Sequence, residues 1–300
     1  MSLIRRLGSL LLLSVLAVSA CRPSQTLPPE PFILASTTIL ADITRNVAGD
    51  RRQVVSLLPP GADPHEYQAA PSDVRKISGS LVLVVNGLEY ERFIGPLLEN
   101  AGGERLTITA SKGLPPRQLS ENGTPVDDPH MWMDPQRVIA YVRNIRDGLS
   151  EADPEGAQAY SANADAYIAQ LQRLDAWIAS QAGSLPAGRR VLVTNHESLG
   201  YFAERYGFRV VATVIPGVST EAGASARDLA AVIDQVRALA APAIFTGKME
   251  NAGLARQIAS ETGAKVVDDL YIESLTDGPP AAAYIDMMKY DVGRIVAALK

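Results

Sequence analysis

The chain has 300 residues, of which 28 are basic and 33 acidic, and its 47% hydrophobic content can supply one or two ordinary cores. No long basic run is present, which argues against nucleic acid as a partner. A single cysteine excludes an intrachain disulfide framework.

Residues 1–20 read as an export signal, with Arg5 and Arg6 as the positive start. Leu10 to Val18 follow as an apolar run broken only by Ser14, too short to span a bilayer comfortably. Val18-Ser19-Ala20-Cys21 resembles a bacterial lipobox, which implies cleavage before Cys21 and acylation of that residue. Several acyl chains anchor a protein stably where one gives marginal attachment. Lipidation would consume Cys21 and leave no thiol for a disulfide or a metal. Residues 21–31 are proline-rich and read as a tether. The expected location is extracytoplasmic or periplasmic, with membrane contact through the lipid anchor only. Without Arg5 and Arg6 the mature chain has 26 basic against 33 acidic residues, a net charge of −7, and a mildly acidic surface draws in cations.

Residues 32–150 alternate strand and helix patterns. Phe32 to Ala35 reads as a buried strand, Ala41 to Val47 as helix, Val54 to Leu58 as strand, and Pro71 to Val74 as the start of another helix. Leu81 to Val85 is a continuously apolar strand of the parallel-sheet type, Phe93 to Asn100 a helix and Leu106 to Thr109 a strand. Asp134-Pro135 then caps a helix to about Leu149. Over 154–184, Tyr160, Ala164, Tyr167, Leu171, Leu174 and Ile178 recur at threes and fours, so one long helix is expected to bridge two lobes.

Residues 188–300 repeat the alternation. Val191 to Val193, Val210 to Ile215, Ala243 to Phe245 and Lys265 to Val267 read as strands. Leu199 to Tyr206, Ala226 to Ala240, Ala252 to Thr262 and Ala281 to Leu299 read as helices. The expected fold is α/β: two lobes, each a mainly parallel sheet flanked by helices, joined by one long helix.

Three histidines are the whole complement, and each follows or adjoins a turn: His65 in Asp63-Pro64-His65, His130 in Asp128-Pro129-His130, His196 in Asn195-His196-Glu197. Neutral imidazole is the commonest metal ligand, so three loop histidines suggest one site assembled by tertiary folding. In open parallel sheets ligands bind beyond the carboxyl ends of strands, which places these residues at a cleft between lobes. Ligating imidazoles must be neutral, so affinity should fall below pH ~6.5, where free histidine titrates.

The chain resembles, from about Phe32 to Lys300, the zinc and manganese solute-binding lipoproteins of bacterial ABC importers. The resemblance is carried by Gly61-Ala62-Asp63-Pro64-His65-Glu66-Tyr67 with Pro71-Ser72-Asp73, by Pro129-His130-Met131-Trp132-Met133-Asp134-Pro135, and by Thr194-Asn195-His196-Glu197-Ser198-Leu199-Gly200-Tyr201-Phe202. It implies His65, His130 and His196 as metal ligands, with Glu273 standing where relatives place an aspartate. Asp268 and Asp269 compete for that fourth position, and Glu66 and Glu197 are further candidates around the site. Three nitrogens and one carboxylate suit Zn²⁺ better than Mn²⁺, the alternative cargo. The implied partner is a permease with its ATPase, the implied state a monomer.

Two other functions compete. An exported zinc-dependent hydrolase would also use three histidines, with Glu66 or Glu197 as base, yet neither HExxH nor GxSxG is present. An adhesin or metal chaperone on the same fold is the third reading.

Overall fold

The computed structural model describes residues 31–121, 124–221 and 223–300. The export signal, Cys21 and the tether up to residue 30 lie outside them. The first half contains β1 (Phe32–Ala35), α1 (Thr38–Ala48), β2 (Val54–Ser56), α2 (Pro71–Gly79), β3 (Ser80–Val85), α3 (Ile94–Ala101) and β4 (Leu106–Thr109). Its four strands form an all-parallel sheet in the order β2-β1-β3-β4. Both faces are covered, as the unbroken apolar runs require. Ile33 and Ala35 of β1 enter one apolar cluster while Phe32 and Leu34 enter another under α2 and α3, and β3 divides its residues the same way.

A hairpin absent from the elements expected above follows: β5 (Gln118–Glu121) paired antiparallel with β6 (Thr124–Asp127). The signal was available, because the sequence between them is Asn122-Gly123, the strongest short hairpin cue. Helix α4 (Pro135–Ala152) begins at Asp134, whose Oδ1 accepts the N–H of Gln136 at 2.8 Å, and Pro135 occupies the first helical position without losing a bond.

Helix α5 (Ala157–Gly183) is 27 residues long, about 40 Å at ~1.5 Å per residue. Tyr160, Ala164, Tyr167, Leu171, Leu174, Ile178 and Ala182 are its buried face. Each fully buried leucine or isoleucine there contributes on the order of 2 kcal/mol.

The second half comprises β7 (Val191–Thr194), α6 (Gly200–Tyr206), β8 (Arg209–Thr213), α7 (Ala226–Leu239), β9 (Ala243–Gly247), α8 (Gly253–Thr262), β10 (Lys265–Leu270) and α9 (Tyr284–Leu299). Its sheet is again all parallel, in the order β10-β9-β7-β8. The fold is the two-lobed α/β arrangement expected. The lobes share more than a connecting helix, however. One apolar cluster runs from Ile33 on β1 through α4 and α5 to Leu299 on α9. Asp175 on α5 ties the halves further, accepting hydrogen bonds from Gln136 of α4 and from Arg205 and Tyr206 of α6. Among the described residues no helix is long and apolar enough to cross a membrane.

Candidate metal centre

Two of the three histidines are presented by the same local device. In Asp63-Pro64-His65 and Asp128-Pro129-His130, the aspartate Oδ1 accepts the N–H of the histidine two residues on, at 2.8 and 3.0 Å. This side-chain turn fixes the backbone just past β2 and just past the hairpin. His196 follows β7 directly, held by a hydrogen bond from Thr194 Oγ1 to its carbonyl at 2.7 Å. Glu273 lies three residues beyond the end of β10. All four therefore sit past the carboxyl ends of strands or in the connections that follow them.

The four side chains converge. Their ligand atoms lie within 4.8 Å of one another. His130 Nε2 is 3.3 Å from His65 Nε2 and 3.2 Å from His196 Nε2. Glu273 Oε1 lies 3.3, 3.4 and 4.0 Å from the Nε2 atoms of His130, His196 and His65. A tetrahedral ion with bonds of ~2.1 Å separates its ligand atoms by ~3.4 Å, close to the spacings around His130 and between Glu273 and His196, with His65 standing farther from Glu273. His130, His196 and Glu273 are buried, and His65 lines a cleft of about 610 Å³ that opens between Leu88–Phe93 and Val218–Glu221.

Hydrogen bonding leaves the centre incomplete. Glu273 Oε2 accepts the Tyr90 hydroxyl at 2.6 Å, whereas Oε1, buried, has no hydrogen-bond partner. Three imidazole nitrogens crowd the same point and cannot all satisfy one another. A cation resolves both difficulties at once. The Tyr90 bond occupies Oε2 and leaves Oε1 as the oxygen Glu273 could offer a cation. Tyr90 is placed by a tight loop: Gly87, at φ 88°, has no room for a Cβ, which would lie 2.6 Å from Thr109 Cγ2. Leu88 and Glu89 follow at φ 57° and 58°, a left-handed conformation costly for side-chain-bearing residues. The Glu91 carboxylate offsets that strain by accepting the N–H groups of Asn86 and Gly87 and the Ser36 hydroxyl.

Carboxylates back the histidines. His130 Nδ1 is hydrogen-bonded to Asp128 Oδ1 at 2.9 Å, and His196 Nδ1 lies 3.1 Å from Glu250 Oε1 as an ion-pair contact without hydrogen-bond alignment. Such partners orient a ligating ring and raise its basicity. Burial opposes the charged form of His196, but Glu250 and Glu273 outweigh it and lift its pKa to about 10. Burial likewise opposes charge on His130, and Glu273 with Asp128 overcomes it, so its pKa is also raised. His65 goes the other way, down to about 3, because burial and the neighbouring imidazoles outweigh Glu273. Burial favours the neutral form of Glu273, yet the three histidines hold its pKa well below the usual carboxylate range.

The competing carboxylates lie elsewhere. Strand β10 extends beyond the expected Lys265 to Val267 as far as Leu270, so Asp268 and Asp269 lie within the strand and outside the convergent group. Asp268 accepts from Arg256 on α8, and Asp269 from Tyr290 and Arg294 on α9. Glu66 is exposed, and neither it nor Glu197 belongs to the convergent group among the described residues. Sequence reasoning missed Tyr90, Glu250 and the role of Asp128. The repeated Asp-Pro-His was a local sign of Asp128; Tyr90 and Glu250 come from distant segments and left none.

Comparison with known proteins finds metal-binding relatives over most of the chain. A family model described as zinc-uptake complex component A, periplasmic, matches residues 33–298. The manganese-binding lipoprotein MntA of Halalkalibacterium halodurans is 35% identical over 268 residues, covering 89% of this chain and 88% of that one. The iron-binding protein YfeA of Yersinia pestis is 32% identical over 287 residues, covering 95% and 91%. Among solved structures, the periplasmic zinc-binding protein TroA of Treponema pallidum superposes with a TM-score of 0.83 at 30% identity, covering 90% of this chain and 99% of that one.

Proposed function

Because the chain belongs to the family of zinc-uptake complex component A, we propose that it is the substrate-binding component of an ABC metal importer and that its cargo is Zn²⁺. The ion is held by His65, His130, His196 and Glu273 and handed to a permease with its ATPase. Residues 32–150 and 188–300 form the two binding lobes, with 154–184 as the bridge between them. One observation carries the reading: Glu273 Oε1 is buried, lacks a hydrogen-bond partner and faces three imidazole nitrogens.

The relatives carry names for manganese, iron and zinc, so the choice among metals rests on this chain's own donors. Three nitrogens and a single carboxylate oxygen favour zinc over manganese, which prefers oxygen-rich octahedral shells. Four protein ligands also close the shell, where a catalytic zinc keeps one position for water, and this supports carriage rather than hydrolysis. Elemental analysis of residues 32–300, equilibrated with Zn²⁺ and a large excess of Mn²⁺, should return one zinc per chain. Retention of manganese instead would overturn the assignment.

The lipid anchor is a separate part of the proposal. Residues 1–20 are the signal, Cys21 the acylated residue and 21–31 the tether, which keeps the protein on the outer side of the cell membrane as a monomer. Cys21→Ala is expected to move the protein from the membrane fraction to the soluble fraction while zinc affinity stays unchanged. Equal membrane retention of the variant would remove the lipoprotein reading.

A further inference from the structure

Arg117 sits where the β5–β6 hairpin meets α6 of the other half. Its carbonyl accepts the N–H of Asp128 at 2.9 Å, and its own N–H donates to the Tyr201 hydroxyl at 2.9 Å. That hydroxyl donates in turn to the Asp128 carbonyl at 2.7 Å. The guanidinium spans the junction, with Nη1 2.5 Å from Asp128 Oδ2 and Nε 2.7 Å from Glu204 Oε1. Gly200, the first residue of α6, makes room for it: a Cβ there would lie 1.6 Å from Nη1 and 2.2 Å from Cζ. The guanidinium thus rests on bare backbone.

Asp128 is fully buried and divides its oxygens between two tasks. Oδ1 takes the backbone N–H and the ring Nδ1 of His130, and Oδ2 takes Arg117. The carboxylate is thus held from two sides, by His130 on Oδ1 and by Arg117 on Oδ2. Arg117 in turn is anchored on Tyr201, Glu204 and the surface over Gly200, all in the second half.

We infer that Arg117 is a positioning residue that couples the docking of the two halves to the orientation of the metal ligand His130. When the halves are together, Arg117 holds Asp128 in hydrogen-bond contact with the imidazole. When α6 moves away, Arg117 loses its anchors and Asp128 its fixed rotation, so the ion is held less firmly. By reciprocity, an ion on His130 favours the docked arrangement. The inference rests on the reading of the four-residue cluster as a metal site.

The test is the rate of Zn²⁺ loss to an excess of chelator, measured for the full mature chain and its variants. Arg117→Gln is expected to speed dissociation roughly 10- to 100-fold, the usual effect of losing an outer partner, with association little changed. Arg117→Lys keeps a charge on Asp128 but cannot fork to Glu204, and should fall between. Gly200→Ala should speed dissociation in the otherwise unaltered chain, yet do nothing further in the Arg117→Gln background, where the space over residue 200 is vacated. A Gly200→Ala effect of equal size in both backgrounds, or an Arg117→Gln variant that releases zinc at the original rate, would overturn the inference. Thermal melts of the metal-free unaltered chain, Arg117→Gln, Gly200→Ala and their double variant should show the same non-additivity. If the unaltered chain bound no Zn²⁺ while the melts still showed the coupling, the metal reading would be the part at fault.

Discussion

Replacing Glu273 with alanine is expected to weaken Zn²⁺ binding by more than about 100-fold, beyond the 10- to 100-fold typical of losing a residue behind the ligands. The substitution removes the carboxylate oxygen that faces all three imidazoles, and with it part of what raises the pKa values of His130 and His196 against burial. It also leaves the Tyr90 hydroxyl buried without its acceptor. Asp268→Ala and Asp269→Ala should leave affinity unchanged, because those carboxylates are spent on Arg256 and on Tyr290 with Arg294. Competition titration against a chelator of known affinity separates the three variants. Tight binding by the Glu273 variant together with loss in the Asp269 variant would place the fourth ligand wrongly.

Zinc binding is also expected to expel protons across the neutral range. A group whose pKa is raised holds its proton below that value, so His196, at about 10, is protonated in the metal-free site at pH 7. His130 is shifted in the same direction, whereas His65, near 3, is already neutral. Coordination needs all three neutral. Each proton displaced costs about tenfold in apparent affinity per pH unit, so lowering the pH from 8 to 6 should weaken binding roughly 100-fold for a single proton and more if His130 also releases one. Unperturbed histidines would confine the loss to pH below ~6.5. The buried carboxylates move it up into the neutral range. Titration calorimetry in buffers of differing ionisation enthalpy counts the protons directly. Affinity that stays flat between pH 8 and 6 would contradict the site.

How much of this was legible in the sequence varies from element to element, for physical reasons. Strands β1 and β4 are matched residue for residue: β1 is a fully buried strand that shows as a continuous apolar run, and β4, at the sheet edge, shows the alternation Leu-Thr-Ile-Thr. Helix α5 was visible through the recurrence of Tyr160, Tyr167, Leu171 and Ile178 alone. Element ends were harder to read. Helix α1 begins at Thr38, three residues before the expected start, because the cap is Thr37, whose Oγ1 accepts the N–H of Leu40. Strand β10 runs through Asp268 and Asp269, whose charges look like a turn in sequence but are neutralised by helices packed on either side of the strand. The histidines declared themselves by type and by their turns. Their supporting groups did not, since Tyr90 meets Glu273 across 183 residues and Glu250 meets His196 from a different strand end. Such pairs exist only once both sheets have formed and the halves are packed together.

A crystal structure of the zinc-loaded chain, with anomalous scattering recorded at the zinc edge, tests the central claim most directly. The account predicts a single strong peak about 2.0–2.1 Å from the Nε2 atoms of His65, His130 and His196 and from Glu273 Oε1, with Glu273 Oε2 still on the Tyr90 hydroxyl. A peak elsewhere in the chain, or an ion at this point gripped by both oxygens of Glu273 and by added waters in a six-coordinate shell, would contradict it.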